Sequence, residues 1–175
     1  LTTSVSLKEK KKIKSLYNIN TILLPNGISL IKEKMIKKEK ANYLIYTGSY
    51  LYKPNKDAID YLNNYIMPIL IKKIPNLKLM LTGGGFNKKL TWIINKGIVT
   101  KADLYKYIYF SKCLCVPLKF GSGTRIKILE ALCLGAIVIS SKKGIEGIDI
   151  ISNKPPFIVD KKKKFIKEII NIIKN

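Results

Sequence analysis

The stretch PLKFGSGTRIKILEALCLGAIVIS, residues 117–140, determines the fold predicted for this chain. It places a glycine-serine-glycine loop directly before a helix predicted over residues 124–134, and that helix carries the chain's single arginine, Arg125. Apolar runs at Cys113–Val116 and at residues 136–139 predict a strand on either side. The order strand, loop, helix, strand puts the loop at the carboxyl edge of a parallel sheet, where open α/β folds bind their ligands.

The remainder of the chain alternates strands and helices. Further strands are predicted at residues 21–24, Tyr43–Thr47, 77–81, 92–94 and 157–159. Further helices are predicted at residues 6–17, from about Asn55 with a kink or split at Pro68, at Lys101–Phe110 and at 161–173, and residues 32–40 are predicted to be a solvated connector. Repeated βα units with nearly continuous apolar strands indicate an α/β protein with a doubly wound parallel sheet.

The strongly basic composition of the chain is compatible with two kinds of anionic partner, nucleic acid and a membrane surface. Its 33 basic and 11 acidic residues give a net charge of +22, which by itself favours nucleic acid or an anionic membrane. All but one of the basic residues are lysines, scattered among many isoleucines, which indicates a coding bias toward A and T. Arginine is the residue that recognition of phosphate and bases favours. No specific nucleic-acid partner is therefore predicted, and a basic nucleic-acid-binding module or a weak membrane association stays an alternative.

Several kinds of site are excluded by composition. The chain has no histidine, which removes Ser-His-Asp and Cys-His nucleophiles and any zinc site built on imidazole, and no metal site is predicted. Its three cysteines lack metal-knuckle spacing and are predicted to be small core residues. No apolar stretch reaches the roughly 20 residues of a membrane span and no signal-peptide pattern opens the chain, so a cytoplasmic location is expected.

The loop before the central helix is the candidate site. A helix start leaves backbone N–H groups unpaired, and Gly121 and Gly123 would let an anion approach them without a Cβ in the way. Arg125 and Lys127 add positive charge at the positive end of the helix dipole, a mismatch that an anionic ligand would relieve. Glu130 follows Lys127 by three residues and can share its face. The alternative is an ordinary glycine turn before an amphipathic helix, with both cations solvated and Glu130 in a surface ion pair.

The stretch GSGTRIKILEALCLGAIVISSKKGIEGI, residues 121–148, resembles the donor-site signature of retaining glycosyltransferases of the GT-B fold, family 4 (glycosyl transferases group 1). The segments VSLKEKKKIKSLYNINTILLPNGIS, YLIYTGSYLYKPNKDAIDYLNNYIMPIL, NLKLMLTGGG and GIVTKADLYKYIYFSKCLCVPL match the same pattern in order. The resemblance implies a Rossmann-like donor-binding domain at residues 41–175. It implies that residues 1–30 are the tail of an acceptor-side domain with its linker, and that the apolar face of the last helix is partly exposed.

The resemblance also implies roles for individual residues. It assigns Glu130 to the ribose hydroxyls of a nucleotide, and it gives the diphosphate or sugar to Arg125 or Lys127 with the backbone of Gly121, Ser122, Gly123 and Thr124. Gly48 and Ser49 would border the diphosphate from the first strand of the domain. The backbone around Ile98 and Val99 would meet the base.

The implied reaction is transfer of a hexosyl group from a UDP- or GDP-sugar to an acceptor glycan or lipid-linked sugar, with retention. It needs no metal or other cofactor and no covalent protein nucleophile, and turnover would require the missing N-terminal acceptor domain. This sequence departs from many relatives in two places. Ser122 stands where a second glutamate precedes Glu130 by eight residues, and Ser49 and Pro54-Asn55 stand where relatives carry arginine and lysine. The phosphate charge is then left to Arg125, Lys127 or Lys53. A noncatalytic Rossmann-like module is a further alternative.

Overall fold

The computed structural model of the chain describes residues 1–28, 39–148 and 157–174. Its strands are β1 (Thr3–Ser4), β2 (Ile22–Leu23), β3 (Tyr43–Thr47), β4 (Lys78–Thr82), β5 (Ile93–Gly97), β6 (Cys113–Val116), β7 (Val138–Ser140) and β8 (Phe157–Ile158). Its helices are α1 (Leu7–Tyr17), α2 (Lys53–Tyr61), α3 (Met67–Lys73), α4 (Lys101–Phe110), α5 (Ile126–Cys133) and α6 (Lys162–Lys174). The predicted connector at residues 32–40 lies largely outside the described residues.

The central sheet has six parallel strands in the order β5-β4-β3-β6-β7-β8. From β3 the chain builds outward through β4 to β5, then returns to the other side of β3 and builds outward through β6, β7 and β8. This reversal makes the space between the carboxyl ends of β3 and β6 the topological switch point of the sheet. The predicted doubly wound α/β fold is confirmed.

Helices cover the sheet on both sides. Helix α3 packs with α6, and α4 packs with α5. Because right-handed crossovers that run in opposite directions along a sheet lie on opposite faces, these two pairs cover opposite faces. Every residue of β3, β6 and β7 is buried as a result, which accounts for the continuous apolar runs seen in the sequence.

Tertiary packing bears on two expectations. The apolar face of α6 is buried at Phe165, Ile166 and Ile169, because α6 packs against α3 and β7, and it is partly exposed at Ile170 and Ile173. The cysteines of β6 are core residues as predicted, but Cys133 is exposed at the end of α5. No helix in the described part of the chain is long and apolar enough to cross a bilayer.

Proline residues lie at the start of both α-helices in the long helical segment after β3. Pro54 lies in the first turn of α2, where its missing N–H costs nothing, and α2 begins two residues earlier than predicted. The predicted interruption at Pro68 is a π-helical segment, Leu62–Ile66, in which Met67 N–H reaches back to the Leu62 carbonyl. Helix α3 starts again with Pro68 in its first turn.

The first 28 residues form a small unit beside the sheet. Strands β1 and β2 pair in parallel, and α1 is capped by Ser6, whose hydroxyl accepts the Glu9 N–H at 3.2 Å as the sequence predicts. Helix α1 buries none of its residues. Its contact with the turn after β7 includes an ion pair between Lys8 and Glu146. The division into an acceptor-side tail at 1–30 and a donor domain at 41–175 stays a prediction.

Candidate functional site

The candidate site lies at the switch point, where the segments after β3 and β6 meet. Gly48 and Ser49 follow β3 directly, and the glycine-rich loop of residues 121–124 follows β6. The helix after that loop begins at Ile126 and not at Thr124 as predicted, because Arg125 occupies the N-cap position with φ −85° and ψ 86°. The loop that faces the edge of the sheet is therefore two residues longer than expected.

The start of α5 offers fewer free backbone donors than the sequence suggests. Ile126 N–H donates to the Thr124 carbonyl at 3.1 Å, and Ile128 N–H donates to the Arg125 carbonyl at 2.8 Å. These tight turns use two of the amides that an ideal helix start would leave unpaired. The positive charge of this site therefore resides chiefly in side chains.

Arg125 is a cation with unused hydrogen-bonding capacity. Its Nη1 donates to the carbonyls of Ser122 and Gly123, while Nε and Nη2 are buried and have no partner in the described residues. The guanidinium lies against Gly121, where a Cβ would be 3.1 Å from Nη2 and 3.3 Å from the Pro54 ring. Because buried N–H groups are nearly always paired, these two nitrogens can donate to an acceptor that a ligand supplies.

Lys127 reaches across the switch point to β3. Its Nζ donates to the Thr47 carbonyl, lies 3.3 Å from Asn55 Oδ1 and sits 4.3 Å from the centre of the Tyr46 ring. A Cβ on Gly48, whose φ is +130°, would come within 2.9 Å of the same Nζ. Desolvation by burial, followed by repulsion from Arg125, lowers the pKa of Lys127 to about 7. The sequence-predicted Arg125, Lys127 and Gly48 are thus brought together.

Replacing Lys127 with methionine is expected to remove a pH-dependent part of the free energy of unfolding. An unfolded lysine keeps its proton up to about pH 10.4, whereas the folded chain releases it near pH 7. Between these values the unfolded chain binds more protons, so wild-type stability rises with pH relative to the variant, by up to about 1.4 kcal/mol per pH unit. Urea unfolding at pH 6.5, 8 and 9.5 measures this difference. The exposed Lys163→Met is the control, and parallel pH profiles for wild type and Lys127→Met would contradict the prediction.

Glu130 lies apart from Lys127. The Tyr105 hydroxyl on α4 donates to Glu130 Oε1 at 3.4 Å, and the carboxylate is only partly buried. Glu130 forms no ion pair in the described residues, so the predicted alternative of a surface ion pair is not seen. The two side chains diverge: Lys127 extends toward β3 and Glu130 toward α4. Glu130 therefore remains open to a ligand.

Ile98 and Val99 lie farther along the same edge, beyond β5. Ile98 is 88% exposed, and its Cδ1 is 3.6 Å from where a Cβ of Gly84 would be. Ser49 links the two regions, because its hydroxyl faces the Gly84 carbonyl at 3.5 Å. The residues predicted for phosphate and base thus line one continuous edge of the sheet.

Asn55 is the site residue to which sequence reasoning gave no role. Its amide joins Tyr46, Ser49 and Lys127 at the switch point. One indication of a role was present in the sequence: Asn55 departs from the family pattern, because relatives carry a cation near this position.

Comparison with known proteins identifies the family. The model of the family described as glycosyl transferases group 1 matches residues 41–175. A 44.6 kDa protein of the cps region of Klebsiella pneumoniae is 25% identical over 144 residues, which cover 75% of this chain and 37% of that protein.

Two solved structures share the fold. A variant of TarM from S. aureus, in complex with fondaparinux, alpha-GlcNAc-glycerol and UDP, matches with a TM-score of 0.77 at 13% identity and covers 98% of this chain and 36% of its own. The pneumococcal O-GlcNAc transferase GtfA, in complex with UDP and GlcNAc, gives 0.74 at 13% identity and covers 99% and 38%. The chain spans little more than a third of the length of these proteins.

Proposed function

The chain belongs to the glycosyl transferases group 1 family, and from this premise we propose that it binds a nucleotide-diphosphate sugar for transfer of its glycosyl group to an acceptor. The observation that carries the proposal is the pair of cations at the switch point. Arg125 has two buried N–H-bearing nitrogens that find no partner in the part of the chain that the structure describes, and Lys127 lies against Gly48. A diphosphate supplies both the acceptors and the negative charge that this arrangement lacks.

UDP is the nucleotide we favour over GDP. TarM and GtfA, which share the fold, were both solved with UDP bound. In this chain the diphosphate would lie between Gly48, Ser49 and the loop of residues 121–124, and the Glu130 carboxylate would accept from the ribose hydroxyls. The base would extend toward Ile98 and Val99. There the exposed apolar side chain of Ile98, which lies beside Gly84, would pack against the base.

The chemistry proposed is stabilisation of the leaving diphosphate by the positive charges of Arg125 and Lys127. Two cations close to the leaving group lower the energy of the charge that develops there, so no metal ion is required. We further propose that transfer proceeds with retention and without a covalent protein nucleophile. Because the chain is about a third as long as its relatives, the acceptor would be bound by a second domain, and hexosyl transfer would require both.

A panel of ligands followed by thermal unfolding tests the proposal. UDP, a UDP-sugar, GDP, inorganic pyrophosphate, duplex DNA and anionic vesicles are added to the 175-residue chain in turn. We expect UDP and the UDP-sugar to stabilise it, by about 2.7 kcal/mol at 100 times their Kd. Stabilisation by DNA alone, with a steep salt dependence, would favour a nucleic-acid-binding module instead. A response to GDP alone would reassign the base.

Glu130→Gln separates ribose recognition from phosphate recognition. A charged acceptor contributes about 1.5 to 3 kcal/mol per hydrogen bond, about twice a neutral one, and glutamine keeps a neutral acceptor, so the variant should bind UDP roughly 4 to 13 times more weakly. Pyrophosphate has no ribose, and its affinity should not change. Isothermal titration calorimetry measures both, with Glu168→Gln on α6 as a control of equal charge change. Equal losses for UDP and pyrophosphate would contradict the role given to Glu130.

A further inference from the structure

The Asn55 side chain makes three polar contacts that connect separate parts of the candidate site. Its Oδ1 accepts the Tyr46 hydroxyl at 2.8 Å and lies 3.3 Å from Lys127 Nζ, while its Nδ2 donates to the Ser49 carbonyl at 2.9 Å. Strand β3, the loop after it and helix α5 therefore meet on one amide in the first turn of α2.

We propose that Asn55 is a positioning residue of the donor site: it holds the Lys127 ammonium against the Gly48 turn and so sets the charge presented to the donor's diphosphate. The inference rests on the proposed function. Asn55 itself does not touch the ligand in this proposal; its effect is exerted through Lys127.

The chemistry of the amide explains why asparagine suits this position. The neighbours on one side, a phenol and an ammonium, are donors, and the neighbour on the other, a backbone carbonyl, is an acceptor. A primary amide satisfies both sides at once, whereas a carboxylate has no donor for Ser49 and an aliphatic side chain has neither group. The same amide is uncharged. It therefore orients Lys127 without neutralising it, and the positive charge stays available to an anionic ligand.

The groups around the Lys127 ammonium allow its protonation to change when an anionic ligand binds. Arg125 faces it from the start of α5, the Tyr46 ring faces it from β3, and the neutral Asn55 faces it from α2. Asp57, farther along α2, pairs with Lys119 at 3.3 Å. Burial raises the pKa of Tyr46, so its hydroxyl stays a donor. The pKa of Lys127 near 7 means that a diphosphate would draw a proton onto it.

The pH profile of donor binding tests the inference in the 175-residue chain. The probe is UDP-GlcNAc, whose diphosphate is esterified at both ends and keeps its charge between pH 6 and 9. Wild-type affinity, measured by calorimetry, should decline as the pH rises through 7. In Asn55→Asp a carboxylate beside Nζ raises the pKa of Lys127, and the decline should move up by at least about one pH unit. The exposed Asn64→Asp is the matched control and should follow the wild-type profile.

A double-mutant cycle distinguishes positioning from a merely structural contribution. Asn55→Ala should weaken UDP-GlcNAc binding about tenfold in the wild-type chain and less than twofold in the Lys127→Met chain. Equal losses in both backgrounds, or an Asn55→Asp profile that coincides with wild type, would overturn the inference. Circular dichroism of each variant confirms folding, and Asn55→Asp gives the result independently if Asn55→Ala unfolds. If wild type binds neither UDP nor UDP-GlcNAc at any pH, the proposed function fails and the inference fails with it.

Discussion

Substituting alanine for Gly83 is expected to lower the free energy of unfolding by about 3 to 5 kcal/mol, among the largest effects of a single methyl group. Gly83 follows β4 with φ +104°, and a Cβ there would lie 2.5 Å from Gly48 C, 2.6 Å from Gly48 O and 2.7 Å from Ser49 N. All three atoms are backbone and cannot rotate away. The loops are also tied together, because Gly48 N–H donates to the Thr82 carbonyl and Tyr50 N–H to the Gly84 carbonyl, both at 2.9 Å.

Chemical denaturation of Gly83→Ala and of Gly135→Ala, compared side by side, measures the cost of the clash with the Gly48–Ser49 backbone separately from the cost of backbone strain. Gly135 also has a left-handed backbone, with φ +67°, but a Cβ there would meet nothing within 4 Å. Its substitution should cost only the conformational strain, about 1 to 2 kcal/mol. A Gly83→Ala variant no less stable than Gly135→Ala would show that the two loops separate easily. The loop that contains Gly48 would then be able to shift at the switch point at little cost in free energy.

The central sheet was predictable because its strands are buried on both faces. Runs such as Tyr43–Thr47 and Cys113–Val116 are continuous in apolar residues, and the βα alternation leaves a parallel sheet as the simplest way to bury them. How much of α6 is buried was not predictable in the same way. A helix's own pattern shows that it has an apolar face, and only the tertiary structure shows that α3 and β7 cover Phe165, Ile166 and Ile169 on that face.

The site was predictable where its residues are adjacent in the chain and not where they are distant. Gly121, Arg125 and Glu130 form one local pattern, and the sequence identifies them together. Lys127 meets the Thr47 carbonyl 80 positions away, and Asn55 Oδ1 72 positions away. No periodicity encodes such contacts. The sequence therefore predicted an anion held by helix amides and two cations, whereas in the structure two of those amides are used in tight turns and Lys127 is oriented by contacts distant in the chain.

Replacing Arg125 with methionine is expected to weaken UDP binding by about 30-fold or more. Removing one partner of a desolvated charge pair commonly costs about 2 to 5 kcal/mol. Nη1 is occupied by the carbonyls of Ser122 and Gly123, which fix the plane of the guanidinium. Nε and Nη2 form a buried edge without a partner among residues 1–28, 39–148 and 157–174, and this edge has the geometry that binds a phosphate in a bidentate manner. Arg125→Lys keeps the charge but loses this edge, so it should recover only part of the affinity.

The free energy of unfolding of Arg125→Met should be equal to that of wild type or higher, although the variant binds UDP more weakly. Buried N–H groups without acceptors are costly, and methionine removes them, so Arg125→Met should unfold at the same urea concentration as wild type or a higher one. Calorimetry with UDP and with pyrophosphate gives the affinities, and Lys163→Met on α6 controls for net charge. Both ligands should lose affinity equally, in contrast to Glu130→Gln, because Arg125 acts on the diphosphate. Affinities within threefold of wild type would mean that the guanidinium belongs to the fold, and the diphosphate would then have to be held by Lys127 and the loop amides.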